Sequence, residues 1–99
     1  MALDAEKIKD SVSKVRHPEI NNTLMELGMI EDLKVEDNTV SFTMLLPSLG
    51  VPIRDMLINM VAQAINEVAS DAEINVRVAE MNDQQKAHFF DLARKNWAL

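Results

Sequence analysis

The stretch from Leu46 to Leu57, LPSLGVPIRDML, most constrains what this chain can fold into, because an alternating apolar run stops there, a Pro/Gly turn intervenes and a long amphipathic pattern begins. Pro47 cannot donate to a strand ladder, so the strand is expected to end at Leu46. Pro52 suits the first position of a helix, where its missing N–H would have been an orphan donor, and this makes Val51 the expected N-cap. Valine caps poorly where Ser, Asp or Asn would accept a bond from the first turn. The helix start then keeps unpaired N–H groups at the positive end of the macrodipole, a place to hold an anion, a thiolate or a partner's carboxylate. A plainer reading, which local chemistry favours, is that the turn only reverses the chain between a hairpin and its covering helix.

Before that stretch, Ile8, Val12 and Val15 recur at helical spacing between Asp4 and Arg16, with Glu6, Lys7, Lys9, Asp10 and Lys14 on the other side. This predicts an amphipathic helix capped by Asp4 and ended near His17, since the residue before Pro18 is pushed out of the α region. His17 then reads as a cation at a helix end or a surface residue. Thr23 and Glu26 have capping-box spacing, and Gly28 falls where a one-turn helix needs a left-handed residue. From Met29 the period becomes two. Leu33 and Val35 alternate with charged residues, Asp37-Asn38 supplies a turn, and Val40, Phe42, Met44 and Leu46 alternate with polar ones, which predicts a hairpin with one buried face.

After the turn, Ile53, Leu57, Val61, Ala64, Ile65 and Val68 form one helical stripe to about Ser70. Met56, Ile58 and Met60 widen it. Ile74, Val76 and Val78 then alternate as a third strand, expected to lie parallel to its neighbour, and residues 83–97 read as a last helix with Phe90, Ala93 and Trp97 along one face, broadened by Phe89 and Leu92. The order αββαβα describes one α+β domain over residues 1–99, with helices packed on a small mixed three-stranded sheet.

Charge and composition remove several function classes. Ten Lys and Arg against sixteen Asp and Glu give −6, which opposes phosphate backbones and anionic membranes. Zero cysteines exclude thiolate ligands and disulfides, and the two histidines stand too far apart in sequence for metal-ligand spacing. The N-terminal residues lack the apolar core of a signal peptide, and no run is apolar long enough to span a bilayer, so a cytoplasmic location is expected. No P-loop, dinucleotide, zinc-protease or nucleophile-triad motif is present, so the residues themselves point to no catalysis.

Three motifs carry a resemblance that goes further: His17-Pro18-Glu19-Ile20, Glu26-Leu27-Gly28-Met29-Ile30, and Leu46-Pro47-Ser48-Leu49-Gly50-Val51-Pro52. Across residues 3–81 the chain resembles the iron–sulfur cluster assembly family called domain of unknown function 59. That family includes SufT-like and PaaD-like proteins and the N-terminal domain of Mrp/ApbC P-loop ATPases. Its first motif takes His or Asp at the position of His17. Its second usually has Asp where this chain has Glu26, and its third usually has Cys where this chain has Val51, which offers no donor atom to a metal.

The resemblance implies a non-catalytic accessory domain that assists cluster assembly by protein–protein contact. It binds no cofactor alone and meets a cluster only through partners: assembly factors, a P-loop ATPase or apo-protein clients. The expected binding residues are Glu26, Ser48, Gly50, Val51 and Arg54. A second reading is a small-ligand or anion-binding module at the helix start near Val51, and a third a PaaD-like accessory of a catabolic oxygenase. An enzyme with Glu26 as general base ranks last, since no partner group is evident. A homodimer is left open by the sequence.

Overall fold

A computed structural model describes residues 3–50 and 52–97. The elements are α1 (Ala5–Ser13), β1 (Ile30–Glu36), β2 (Thr39–Leu46), α2 (Arg54–Val68), β3 (Glu73–Glu80) and α3 (Asp83–Asn96). The sheet order is β1-β2-β3, with β1 and β2 antiparallel and β2 and β3 parallel, so the expected α+β architecture with a mixed sheet holds. Val40, Phe42, Met44 and Leu46 of the central strand are buried against Ile8 and Val12 of α1 and Leu57, Val61 and Ile65 of α2 in one core. Ser11 Oγ ties the two helices by donating to the Ala64 carbonyl at 2.8 Å. Among the described residues no helix is long and apolar enough to cross a membrane.

Several boundaries differ from expectation for identifiable reasons. Asp4 caps α1 through the Lys7 N–H, but the helix stops at Ser13 rather than near Arg16. Its last bonds tighten to the i−3 carbonyl, and Arg16 then pairs across with Thr23, flanked by Leu24 N–H to Val15 C=O at 2.9 Å and His17 N–H to Asn22 C=O at 3.0 Å. A tight hairpin over residues 15–24 therefore replaces the end of the helix. His17 is consequently at no helix terminus and on no surface. It is buried, 8% exposed, inside the hairpin loop.

The next turn is closed at both ends. Thr23 N–H donates to Glu26 Oε1 (2.7 Å) and Glu26 N–H to Thr23 Oγ1 (3.1 Å), the reciprocal cap its spacing predicts. At the other end Gly28 has φ 74°, and Met29 and Gly28 N–H groups reach the Leu24 and Met25 carbonyls, the bond pair that terminates a helix through a left-handed residue.

β1 carries a bulge between Glu31 and Lys34, with Asp32 at φ 56°. One extra residue restores the alternation, so Ile30, Leu33 and Val35 all turn towards the core. At the Asp37-Asn38 turn, Asp37 is left-handed (φ 52°), and Asn38 binds the start of β3 through Glu73 N–H and the Asp71 carbonyl.

Helix α2 begins at Arg54 with Ile53 as N-cap, two residues later than Pro52 suggests. A preset φ near −65° serves a turn as well as a first helical residue, and Pro52 lies in the turn. On α3 the buried residues are Phe89 and Ala93, whereas Phe90 and Trp97, read from the sequence as sharing a face with Ala93, are exposed; Phe90 meets Phe89 edge-on at 5.3 Å. Asn82 caps this helix in a second reciprocal pair with Gln85.

Candidate functional site

Strands β2 and β3 end together, and Met81 N–H donates to the Leu46 carbonyl at 2.8 Å. The chain leaves β2 there through an exposed turn. Ser48 Oγ accepts the Gly50 N–H at 3.3 Å, a side-chain turn of the kind serine forms with the residue two on. Gly50 has room for a Cβ and no left-handed φ, so the backbone does not demand glycine at that point. Val51, expected as the cap, lies outside the described residues. Ile53 provides no side-chain cap, so the first N–H groups of α2 have no bond of that kind.

Leu49 and Met56 stand 48% and 51% exposed on this stretch, with Ile53 half-buried between them in sequence. Arg54 Nε lies 3.6 Å from the Asp55 carboxylate, both side chains well exposed. Asp55 in the first turn already places negative charge at the positive end of the helix, which works against capture of a free anion.

Ser48, Gly50 and Arg54 thus share one exposed stretch. Glu26 belongs to a different feature: its Oε1 is held by the Thr23 N–H and Asn22 Nδ2, and its carbonyl lies 2.8 Å from His88 Nε2. A carbonyl only accepts, so His88 carries a proton on that nitrogen. The Thr23 backbone N–H, then the Asn22 amide, hold the Glu26 carboxyl below its ordinary value. Stability from this charged cap is present above the ordinary carboxylate range and is lost as pH falls through the depressed value. Glu26→Gln, which can still accept the Thr23 N–H, is expected to lower the melting temperature at neutral pH by no more than the wild type loses on acidification, and to flatten that acid loss in a pH series of thermal melts; a neutral-pH loss well beyond the acid loss would mean that more than the charge holds the turn.

Sequence reasoning missed two features here. His17 Nδ1 accepts the Glu19 N–H at 3.0 Å, so its neutral ring is protonated on Nε2, and burial lowers its pKa against the opposing pull of the Glu19 carboxylate. The [HD] choice at this motif position was the available signal, since either side chain can accept a bond from the N–H two residues on. The second is the C-terminal clasp. Asn21 N–H donates to the Asn96 carbonyl (2.7 Å), Asn96 Nδ2 donates to Asn22 Oδ1 (2.8 Å), and Ile20 pairs with Trp97, so the end of α3 closes the hairpin loop that contains His17.

Two hollows border the sheet. One of about 270 Å³ lies on the open sheet face between Asp32, Lys34, Ser41, Thr43, Asn75 and Arg77, and another of about 320 Å³ lies between the start of β1 and α3. Neither includes Glu26 or residues 46–57. Among the described residues no group of three or more His, Asp or Glu is placed to hold a metal ion. With no cysteine in the sequence and valine at position 51, the residues present do not fit an iron–sulfur cluster as a bound group.

Comparison with known proteins places this geometry. The sequence pattern of a family described as iron–sulfur cluster assembly protein matches residues 5–78. An iron–sulfur cluster carrier protein of Synechocystis sp. is 28% identical over 85 residues, which cover 86% of this chain and 24% of that protein. The chain therefore spans about a quarter of the length of this curated relative. In fold, the chain is similar to a crystal structure of a domain of unknown function 59 from Bacillus anthracis, with TM-score 0.69 and 20% identity over 90% of this chain and 91% of that one.

Proposed function

The chain belongs to the iron–sulfur cluster assembly protein family, and on that premise we propose that it is a non-catalytic accessory domain that works by contact with other proteins. Clusters reach it as cargo on a partner: an assembly factor, a P-loop ATPase or an apo-protein client. It acts in the cytoplasm. The observation that carries this reading is the exposed pair Leu49 and Met56 around the uncapped start of α2, on a chain with no thiolate to ligate a cluster. Apolar side chains raised beside the positive end of α2 suit an apolar partner segment carrying a carboxylate. Ser48 lies on the same exposed turn, and Arg54 contributes a cation beside it.

Anaerobic reconstitution of the purified chain with iron and sulfide is the test. The expected result is no stoichiometric visible charge-transfer absorbance on the chain alone, together with iron and acid-labile sulfide in the partner fraction of a native-lysate pull-down. A stable, stoichiometric cluster on the isolated chain would overturn the reading.

A further inference from the structure

The two edges of the sheet are unlike. β1 is interrupted by its bulge at Asp32, and Gln85 of α3 reaches across to Glu31 at its start. β3 pairs with β2 in unbroken register from Glu73 to Glu80, with no proline, glycine or bulge. Among the described residues no backbone group of 74–79 bonds to anything beyond the sheet. Such a regular edge is a template for another strand, and proteins usually blunt it.

The side chains along this edge select what fits. Ile74, Val76 and Val78 line the core side, half-buried because no further strand covers them, while Glu73, Asn75 and Arg77 stand exposed on the open face. Glu73 and Arg77 take part in no ion pair among the described residues. Four residues apart on one strand, they are separated by about 13 Å and cannot pair with each other. An antiparallel copy of the same strand brings them together. With Asn75 on the two-fold axis, Arg77 faces the partner's Glu73 on the open side, twice by symmetry, and Ile74 faces the partner's Val76 on the core side. Shifting the axis to Arg77 would set two like charges directly opposite, which is unfavourable. Moving the axis to Val76 would face Arg77 with the partner's Asn75 and leave Glu73 against the partner's Ala79, with no opposite charges paired, and a one-residue register slip that puts the axis between residues would oppose apolar and polar faces.

We infer that two copies of this chain associate through β3, antiparallel about Asn75, into a continuous six-stranded sheet. The contact is isologous and small, so the dimer forms weakly and in proportion to concentration.

Sedimentation velocity over about 10–500 µM, a span bracketing weak, concentration-dependent association, is expected to show a monomer–dimer equilibrium. Arg77→Glu, exposed and outside the core, raises the dissociation constant about tenfold by setting carboxylate against carboxylate, and adding Glu73→Arg restores it. Because the chain has no other thiol, Asn75→Cys gives a disulfide-linked dimer under mild oxidation, since opposed Cα atoms at about 4.5–5.5 Å are within disulfide reach. Arg77→Cys gives none, its copies being offset by four residues. A monomer throughout the concentration range overturns the inference. So does a dimer indifferent to Arg77→Glu, or one cross-linked through position 77 rather than 75.

Discussion

Replacing both Leu49 and Met56 with aspartate is expected to abolish partner recovery, with a loss of at least about a hundredfold in affinity, while the melting temperature moves by no more than a few degrees. Exposed apolar anchors of this kind commonly cost about 2 kcal/mol or more each when they sit at the centre of an interface. Neither side chain belongs to the core, so the fold loses little by the exchange. Carboxylates beside Asp55 would also replace the apolar contact with charge repelling the single carboxylate of that apolar partner segment. Pull-down yield read alongside thermal melts separates the outcomes: unchanged recovery with an intact fold would move the working surface to another face.

His17→Ala carries the second large effect, this time on stability. The ring is buried, and its Nδ1 is the acceptor for the Glu19 N–H, so truncation removes packing and leaves a donor unmet. The expected cost is about 1–3 kcal/mol. Each kcal/mol lowers the melting temperature of a domain this size by about 4–8 °C. His17→Asn, which keeps an acceptor for the same N–H, should recover part of that loss. The wild-type pH dependence has a definite sign. With the folded pKa below the ordinary 6.5, the unfolded chain takes up the proton first, so stability is complete above that value and declines as pH falls from there through the lowered folded pKa. Denaturant melts between neutral pH and mild acid check this, and His17→Asn should remove that part of the slope.

Much of the fold was legible because its signals are local. Gly28 stands where only a left-handed residue closes the turn, Thr23 and Glu26 are at the spacing that caps it, and the change of period at Met29 marks the first strand. The rest depends on residues distant in sequence. α1 ends at Ser13 because Arg16 pairs with Thr23, and nothing between Val12 and Arg16 announces it. On α3 the adjacent Phe89 and Phe90 satisfy helical spacing equally well, through Ala93 or through Ala93 and Trp97. Docking against the core decides for Phe89 and Ala93. Of the expected binding residues, Glu26 was recognisable as a cap from spacing, and Ser48, Gly50 and Arg54 share a contiguous stretch. That this stretch is separate from the Glu26 turn follows from tertiary placement alone.

The clasp between α3 and the hairpin loop gives the molecule an internal reporter. The Asn21 amide hydrogen is bonded to a carbonyl 75 positions further along the chain, so it can exchange with solvent deuterium whenever the last helix lifts, even while the sheet stays paired. Its protection factor measures the free energy of that sub-global opening, and comparison with amides of the central strand β2 separates it from global unfolding. Because the matched family region ends at residue 78, before α3 begins, the same amide tells how far that region holds together when the C-terminal helix lets go.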